Sequence, residues 1–345
     1  MHLTSPIELK HLLPLSSNSQ EFIREYRNQV IRILERQDNR LLIIVGPCSI
    51  HNVEEGLAYG KKIRELAREV EESCLLVMRA NIEKPRTSSG WQGLVHDPYL
   101  NGSNDIDRGL YMARSLLISL AEMEVPTATE FLSPSIAPYV EDLVTWGWIG
   151  ARTSSSQVHR ILASSLPMPI GFKNTVDGNT TYAVNGALVA REPQTFLHID
   201  ETGTLKKTRS KGNAYTHVVL RGSNSQTNYD PQSIENTLEA LRRAELPARV
   251  MVDCSHGNSQ RKYFKQKEVF ANVLKQIEKG NTHIIGMMLE SHLEGGSQTI
   301  PKQLSDLQTG VSVTDPCLDY SSTAELIRSV KSSLFSSTEM SLTHS

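Results

Sequence analysis

Eight short apolar runs alternating with longer amphipathic stretches, in a chain of 345 residues, predict an α/β fold: a (β/α)8 TIM barrel with an N-terminal extension and an inserted β-ribbon. The runs are too short for helices and rich in Val, Ile and Leu, as strands buried on both faces are. The length suits about two ordinary domains or one large barrel. The eightfold alternation favours the barrel, with roughly 100 residues over for additions.

Residues 1–40 precede the first strand as the N-terminal extension. There Phe22, Ile23, Tyr26, Val30, Ile33 and Leu34 make one apolar helical stripe behind an Asn18/Glu21 cap. The barrel spans 41–338, with strands expected at 41–46, 74–80, 126–131, 148–152, 169–173, 217–222, 249–256 and 284–291. After the first strand, Asn52 with Glu55 forms a capping box, and Val53, Leu57, Ile63, Leu66 and Val70 recur at helical spacing. Further helices are expected at 106–123, 135–146, 155–164, 181–191, 231–244, 261–279 and 322–336. Within about 195–216, TFLHID and TLKKTR flank a Gly-containing turn, the pattern of a two-stranded ribbon. Residues 339–345 read as a disordered tail.

Hydrophobic residues at 39% and charged residues at 21% exclude a disordered or low-complexity chain. Lys+Arg 36 against Asp+Glu 38 leaves a net charge of -2, so no global basic field points to nucleic acid or a membrane surface. Four dispersed cysteines without a CxxC pair argue for a reducing compartment. Glu8 and Lys10 interrupt any signal-like apolar stretch, and no run approaches the ~18 residues of a membrane span. A cytoplasmic location is expected.

In such a barrel the active site is built at the C-terminal ends of the strands. The runs close on Cys48, Arg79, Glu130, Arg152, Lys173, Arg221, His256 and Glu290, every one polar or ionisable. Arg79, Arg152, Lys173 and Arg221, with Lys84 and Arg86 from the loop after the second strand, would bring six cations to one mouth. Unpaired buried charges cost several kcal/mol each, so this convergence needs anions. Those are either protein carboxylates such as Glu130 and Asp253, or the phosphate and carboxylate groups of a ligand. Cys48, His256 and Glu290, with Asp315 beyond the eighth strand, suggest a divalent-metal site, although no local zinc spacing is present. Cys48 alone reads equally as a small buried hydrophobe, or as a nucleophile paired with a histidine.

The segments GPCSIHN (46–52), MRANIEKPRTSSGWQG (78–93), IGARTSSSQVHR (149–160), GFKN (171–174), LRGSN (220–224), VDCSHGNS (252–259) and VSVTDPC (311–317) resemble the type I 3-deoxy-D-arabino-heptulosonate 7-phosphate (DAHP) synthases. The likeness runs from about residue 5 to residue 335. It implies a metal-dependent aldol-type transferase that condenses phosphoenolpyruvate with erythrose 4-phosphate, the first step of the shikimate pathway. By motif, Cys48, His256, Glu290 and Asp315 resemble the family's ligands for Mn²⁺, Fe²⁺, Co²⁺ or Zn²⁺. Arg79 and Lys84 resemble partners of the phosphoenolpyruvate carboxylate. Arg152, Lys173 and Arg221 would surround its phosphate and carboxylate, with Glu130 and Ala151 in the same substrate site, and Arg86 and Thr87 would hold the aldose phosphate. Lys84, Cys48 and His256 are the implied catalytic residues. The resemblance also makes the extension and ribbon regulatory additions that bind Phe, Tyr or Trp and help assemble a homo-oligomer, a dimer or tetramer.

Three motifs depart from the family pattern: Gln92 where GWKG is usual, Thr175-Val176 where NGTDG is usual, and Ser223 where RGG is usual. They leave room for a paralogue with an altered aldose acceptor, such as arabinose 5-phosphate, although KPRT favours the four-carbon sugar. A non-catalytic sensor of aromatic amino acids is the alternative of a different class, against which the intact metal-type residues count.

Overall fold

A computed structural model describes residues 3–86 and 90–342, with side chains through residue 331. The extension holds two helices, α1 (Pro6–Leu12) and α2 (Ser17–Leu34), and leads into β1 (Leu41–Gly46). Then follow α3 (Val53–Val70), β2 (Cys74–Arg79), α4 (Ile106–Glu122), β3 (Thr127–Glu130), α5 (Ala137–Val140), β4 (Trp146–Ile149), α6 (Gln157–Ser165), β5 (Ile170–Lys173) and α7 (Thr181–Arg191). The ribbon strands β6 (Thr195–Ile199) and β7 (Leu205–Arg209) precede β8 (Thr216–Leu220), α8 (Pro231–Arg243), β9 (Val250–Asp253), α9 (Gln266–Glu278), β10 (Ile284–Glu290) and α10 (Tyr320–Leu342). Among the described residues, eight parallel strands close in the order β1-β10-β9-β8-β5-β4-β3-β2, while β6 and β7 pair antiparallel outside the barrel. The (β/α)8 barrel and the ribbon stand where the sequence patterns put them.

Strand alternation divides the core in two. Ile43 and Val45 of β1 belong to the shell packed under the helices, and Leu42 and Ile44 to the lumen. The lumen cluster also holds Leu75, Val77, Trp146, Trp148, Val219, Met251 and Met288. Val30, Ile33 and Leu34 of α2 join it, so the extension supplies the floor of the barrel. The Arg27 guanidinium ties α2 to the backbone before β4, donating to the Val144 carbonyl at 2.9 Å. Ser5 and Glu8 form a capping box on α1, whose Ile7 N–H donates to the Glu201 carbonyl of the ribbon turn at 2.9 Å.

Four local expectations are corrected. The cap of α2 is Ser16, which accepts from the Ser19 N–H, and not Asn18. A helix over 135–146 is replaced by α5 and a 3-10 turn at Glu141–Leu143, because β4 starts at Trp146 so that Trp146 and Trp148 both project into the lumen. The helix expected from 261 starts at Gln266, since Gln260 and Arg261 have φ of 54° and 59°, outside the right-handed helical region. The backbone of 339–342, read as tail, continues α10, in a stretch without Gly or Pro.

Glu141 sits where α2 and α1 meet the barrel. Burial, offset in part by Lys10, pushes its carboxyl up to about 7. The folded state therefore holds a proton that the unfolded chain releases near pH 4.5, and stability falls as pH rises between those values. Glu141→Gln should raise the melting temperature at pH 8 by a few degrees, about 1–2 kcal/mol after allowing for partial exposure, and change it little at pH 4.5. Thermal melts at the two pH values check this.

Candidate functional site

The strand ends converge on a cavity at the C-terminal mouth of the barrel. Arg79, Lys84, Glu130, Ala151, Arg152, Lys173, Arg221, His256, Glu290 and Asp315 all line it. Cys48 lies beside it, fully buried two residues past β1. Arg86 lines an adjoining groove with Gly90, Trp91, Gln298, Thr314 and Asp315. Thr87 lies outside the described residues.

The cations divide into paired and less paired. Arg79 Nη2 is 2.9 Å from Glu290 Oε1, Lys84 Nζ 2.7 Å from Asp315 Oδ2, and Lys173 Nζ 2.7 Å from Asp253 Oδ2. Asp253, weighed in the sequence only as a structural acid, thus anchors one of the cations. Burial alone would raise its carboxyl, yet Lys173 and His256 hold it well below the usual carboxylate range. Arg221 is placed differently. Its Nη1 donates to the Gly222 carbonyl at 3.2 Å, while its buried Nε has no partner among the described residues. A buried guanidinium N–H without a partner is costly, and Arg221 belongs to the cavity wall, where an anion would answer its charge.

Loop geometry fixes these groups. Gly222, at φ 71°, lets the loop after β8 press on the loop after β9, where a Cβ would stand 2.6 Å from the Asn258 amide nitrogen. The Asn258 side-chain amide donates to the carbonyls of Leu220 and Asp253. Asn81 ties three strand ends together, donating to the Cys48 carbonyl at 2.9 Å and accepting from the Glu130 N–H at 3.0 Å. His256 has φ 54°, a left-handed conformation unusual for a side-chain-bearing residue. That turn ends β9 at Asp253, short of the expected 256, and aims the imidazole back over the mouth.

The metal-type donors come together. One ligand atom each from Cys48, Glu290 and Asp315 lies within 4.8 Å of the others. His256 adjoins them, with Nε2 3.6 Å from Glu290 Oε1 and Nδ1 2.9 Å from Asp253 Oδ2. The Lys84 ammonium donates to Cys48 Sγ at 2.8 Å as well as to Asp315. Burial, then Glu290, pushes the Cys48 thiol up to about 12, so Lys84 alone does not make it a thiolate. A thiol and two carboxylates grouped together, with an imidazole beside them, make a donor set that suits a divalent cation, and in this structure the Lys84 ammonium bridges two of its members. The carboxylate held on Nδ1 of His256 is the orienting contact that metal-bound histidines use.

A second buried cluster, His51, Glu55 and His292, has both Nε2 atoms 3.5 Å from Glu55 Oε2. His292 Nδ1 accepts the Leu293 N–H at 2.7 Å, so its Nε2 carries the proton and has no lone pair for a metal. Glu55 Oε2 and His51 Nδ1 have no hydrogen-bond partner among the described residues, so the cluster is an incompletely satisfied polar group of the core.

Sequence reasoning passed over Trp148. It lines the cavity while only 1% exposed, with Arg79 Cζ 5.0 Å and Lys173 Nζ 5.3 Å from its ring centroid. The available signal was its period of two with Trp146, which puts both indoles inside the barrel. The three departures also find places. Gln92 exposes its side chain while its carbonyl accepts the Lys84 N–H, Val176 lines the mouth, and Ser223 Oγ accepts the N–H groups of Ser225 and Gln226.

Comparison with known proteins agrees with this architecture. The family model described as the DAHP synthetase I family matches residues 14–328. The chain is 42% identical over 332 residues to the Tyr-sensitive phospho-2-dehydro-3-deoxyheptonate aldolase of Escherichia coli (strain K12), covering 96% of this chain and 93% of that one. The Trp-sensitive enzyme of the same strain is 40% identical, with 96% and 95% covered. Among solved structures, a phospho-2-dehydro-3-deoxyheptonate aldolase from Francisella tularensis SCHU S4 superposes with a TM-score of 0.94 at 39% identity, covering 96% of this chain and 97% of that one. With a family model matched over residues 14–328 and a relative 42% identical across 96% of its length, the chain belongs to the DAHP synthetase I family.

Proposed function

We propose that this chain condenses phosphoenolpyruvate with D-erythrose 4-phosphate and water, giving DAHP and inorganic phosphate, and that an aromatic amino acid controls it. The observation that carries this reading is the mouth itself: buried cations, one with a guanidinium N–H unpartnered among the described residues, beside a thiol, an imidazole and two carboxylates. Phosphoenolpyruvate brings a carboxylate and a phosphate, and Arg79, Arg152, Lys173 and Arg221 answer both. The aldose brings one phosphate, which the adjoining groove takes through Arg86, and the family resemblance adds Thr87 to that role. Glu130 and Ala151 complete the walls. The two substrates repel each other in a low-dielectric mouth, and the cations offset that repulsion so that carbon 3 of the enol can meet the aldehyde carbon.

A divalent cation held by Cys48, His256, Glu290 and Asp315 would polarise the aldehyde and offset the alkoxide charge, and Mn²⁺, Fe²⁺, Co²⁺ and Zn²⁺ all suit so mixed a donor set. Lys84 keeps its proton, because burial is outweighed by the adjacent Cys48 and Asp315, and Nζ serves as a hydrogen-bond donor to the aldehyde oxygen. Water adds at carbon 2 and the phosphate leaves into the ring of arginines.

The extension and ribbon are the regulatory and assembly elements in this reading. Leu197 and Leu205 on the ribbon are 72% and 63% exposed, apolar surface of the kind a homo-oligomer covers. The relatives are named Tyr-sensitive and Trp-sensitive, which supports an effector among Phe, Tyr and Trp. Four free, buried cysteines support a cytoplasmic enzyme, and among the described residues no helix is long and apolar enough to cross a membrane.

Phosphate release from phosphoenolpyruvate should be abolished by chelation and restored by Mn²⁺ with erythrose 4-phosphate as acceptor, and should stay at background with arabinose 5-phosphate. Turnover with the five-carbon sugar instead would show that Gln92 and Val176 mark a changed acceptor. Cys48→Ala should lose bound metal, measured by elemental analysis, together with at least about 100-fold of kcat. Full activity in that variant would remove Cys48 from the ligand set.

A further inference from the structure

We propose that Trp148 is a positioning residue for phosphoenolpyruvate, its buried ring face holding the Arg79 guanidinium and the Lys173 ammonium in the arrangement that receives the substrate's anionic groups. The inference rests on the functional reading above and adds a residue to its substrate site.

The two cations come from strands on either side of the β3-β4 pair and meet over one indole, 5.0 and 5.3 Å from its centroid. Trp is the strongest aromatic partner for a cation, and the attraction is larger where water is excluded. Both cations are at least nine-tenths buried, Arg79 at 1% exposed and Lys173 at 4%. Each is gripped from another direction by a carboxylate, Glu290 for Arg79 and Asp253 for Lys173. Those same carboxylates face His256, at 3.6 Å and 2.9 Å. Carboxylates alone would draw both cations toward the imidazole. The ring gives them a second fixed contact and offsets part of their mutual repulsion without adding a negative group that would repel phosphate.

The indole is itself braced. Trp146 lies against it, with ring centroids 5.6 Å apart, and is anchored by its Nε1–H donating to His217 Nε2 at 3.2 Å. Gly171 in β5 leaves room for that pair, since a Cβ there would meet Trp146 Cζ2 at 2.7 Å. A ring that only filled the lumen would be replaceable by any side chain of similar bulk. A ring that holds cations would be replaceable by another ring and not by an aliphatic chain.

Trp148→Phe and Trp148→Met separate the two roles. With Mn²⁺-loaded enzyme, calorimetric binding of phosphoenolpyruvate and steady-state kinetics should show the Met variant weakened about fivefold to tenfold in Kd and KM for phosphoenolpyruvate, with kcat and the KM for erythrose 4-phosphate within about twofold. The Phe variant should return phosphoenolpyruvate affinity to within about twofold of the parent. Equal affinity in the Met and Phe variants, or a loss confined to kcat or to the aldose, would overturn the proposal. Should the Met variant not fold, Trp91→Phe combined with Trp146→Phe leaves Trp148 as the only indole, whose emission must then shift on adding phosphoenolpyruvate, and an unchanged spectrum would overturn the proposal too. Failure of the parent enzyme to bind phosphoenolpyruvate would count instead against the function proposed for the site.

Discussion

The rest of the molecule depends on one electrostatic constraint: buried like charges at the mouth must be held close together against their mutual repulsion. Three pairs, Arg79–Glu290, Lys84–Asp315 and Lys173–Asp253, carry much of that constraint. An isolated buried ion costs several kcal/mol, whereas a paired one with further contacts roughly breaks even. Pairing therefore lets the mouth be preorganised before any ligand arrives. Because Glu290 and Asp253 also approach His256, the cation side and the metal-type side share acids, and a change in one is felt by the other.

The barrel meets this constraint because parallel strands all present their C-terminal ends to the same face. Residues distant in sequence, such as Lys84 and Asp315, then stand 2.7 Å apart. Interstrand ties of the Asn81 kind and close approaches of the Gly222 kind fix the loops against one another, as charge-assisted contacts need. The left-handed backbone at His256 is a local cost that this packing maintains.

Much of this was legible in the sequence because short β-branched runs have few other interpretations and because polar residues closing them stand out. The errors lie where local patterns are degenerate. Ile136, Val140, Leu143 and Val144 keep a helical period up to Trp146, yet the lumen requires two tryptophans on one face of a strand, and the tertiary requirement wins. Gln260 and Arg261 are good helix formers whose positive φ comes from the turn that places His256. Of the six cations expected at one mouth, Arg79, Lys84, Arg152, Lys173 and Arg221 line it and Arg86 stands in the adjoining groove, and which of them find carboxylates depends on distances across the barrel that no spacing encodes. Trp148 was passed over for the same reason: an aromatic in an apolar run looks like core, and it is core, with two charges resting on it.

The floor of the lumen is not made by the barrel's own strands alone. Val30, Ile33 and Leu34 of α2 close it, and α1, at the other end of the same segment, is tied by Ile7 to the turn of the ribbon. The segment cannot come away without opening the aliphatic interior of the barrel to water, at about 25 cal/mol for each Å² of apolar surface bared. Extension and barrel are accordingly one cooperative unit in the thermodynamic sense, with α1 held at the ribbon turn and α2 seated beneath the lumen whose upper end is Trp148.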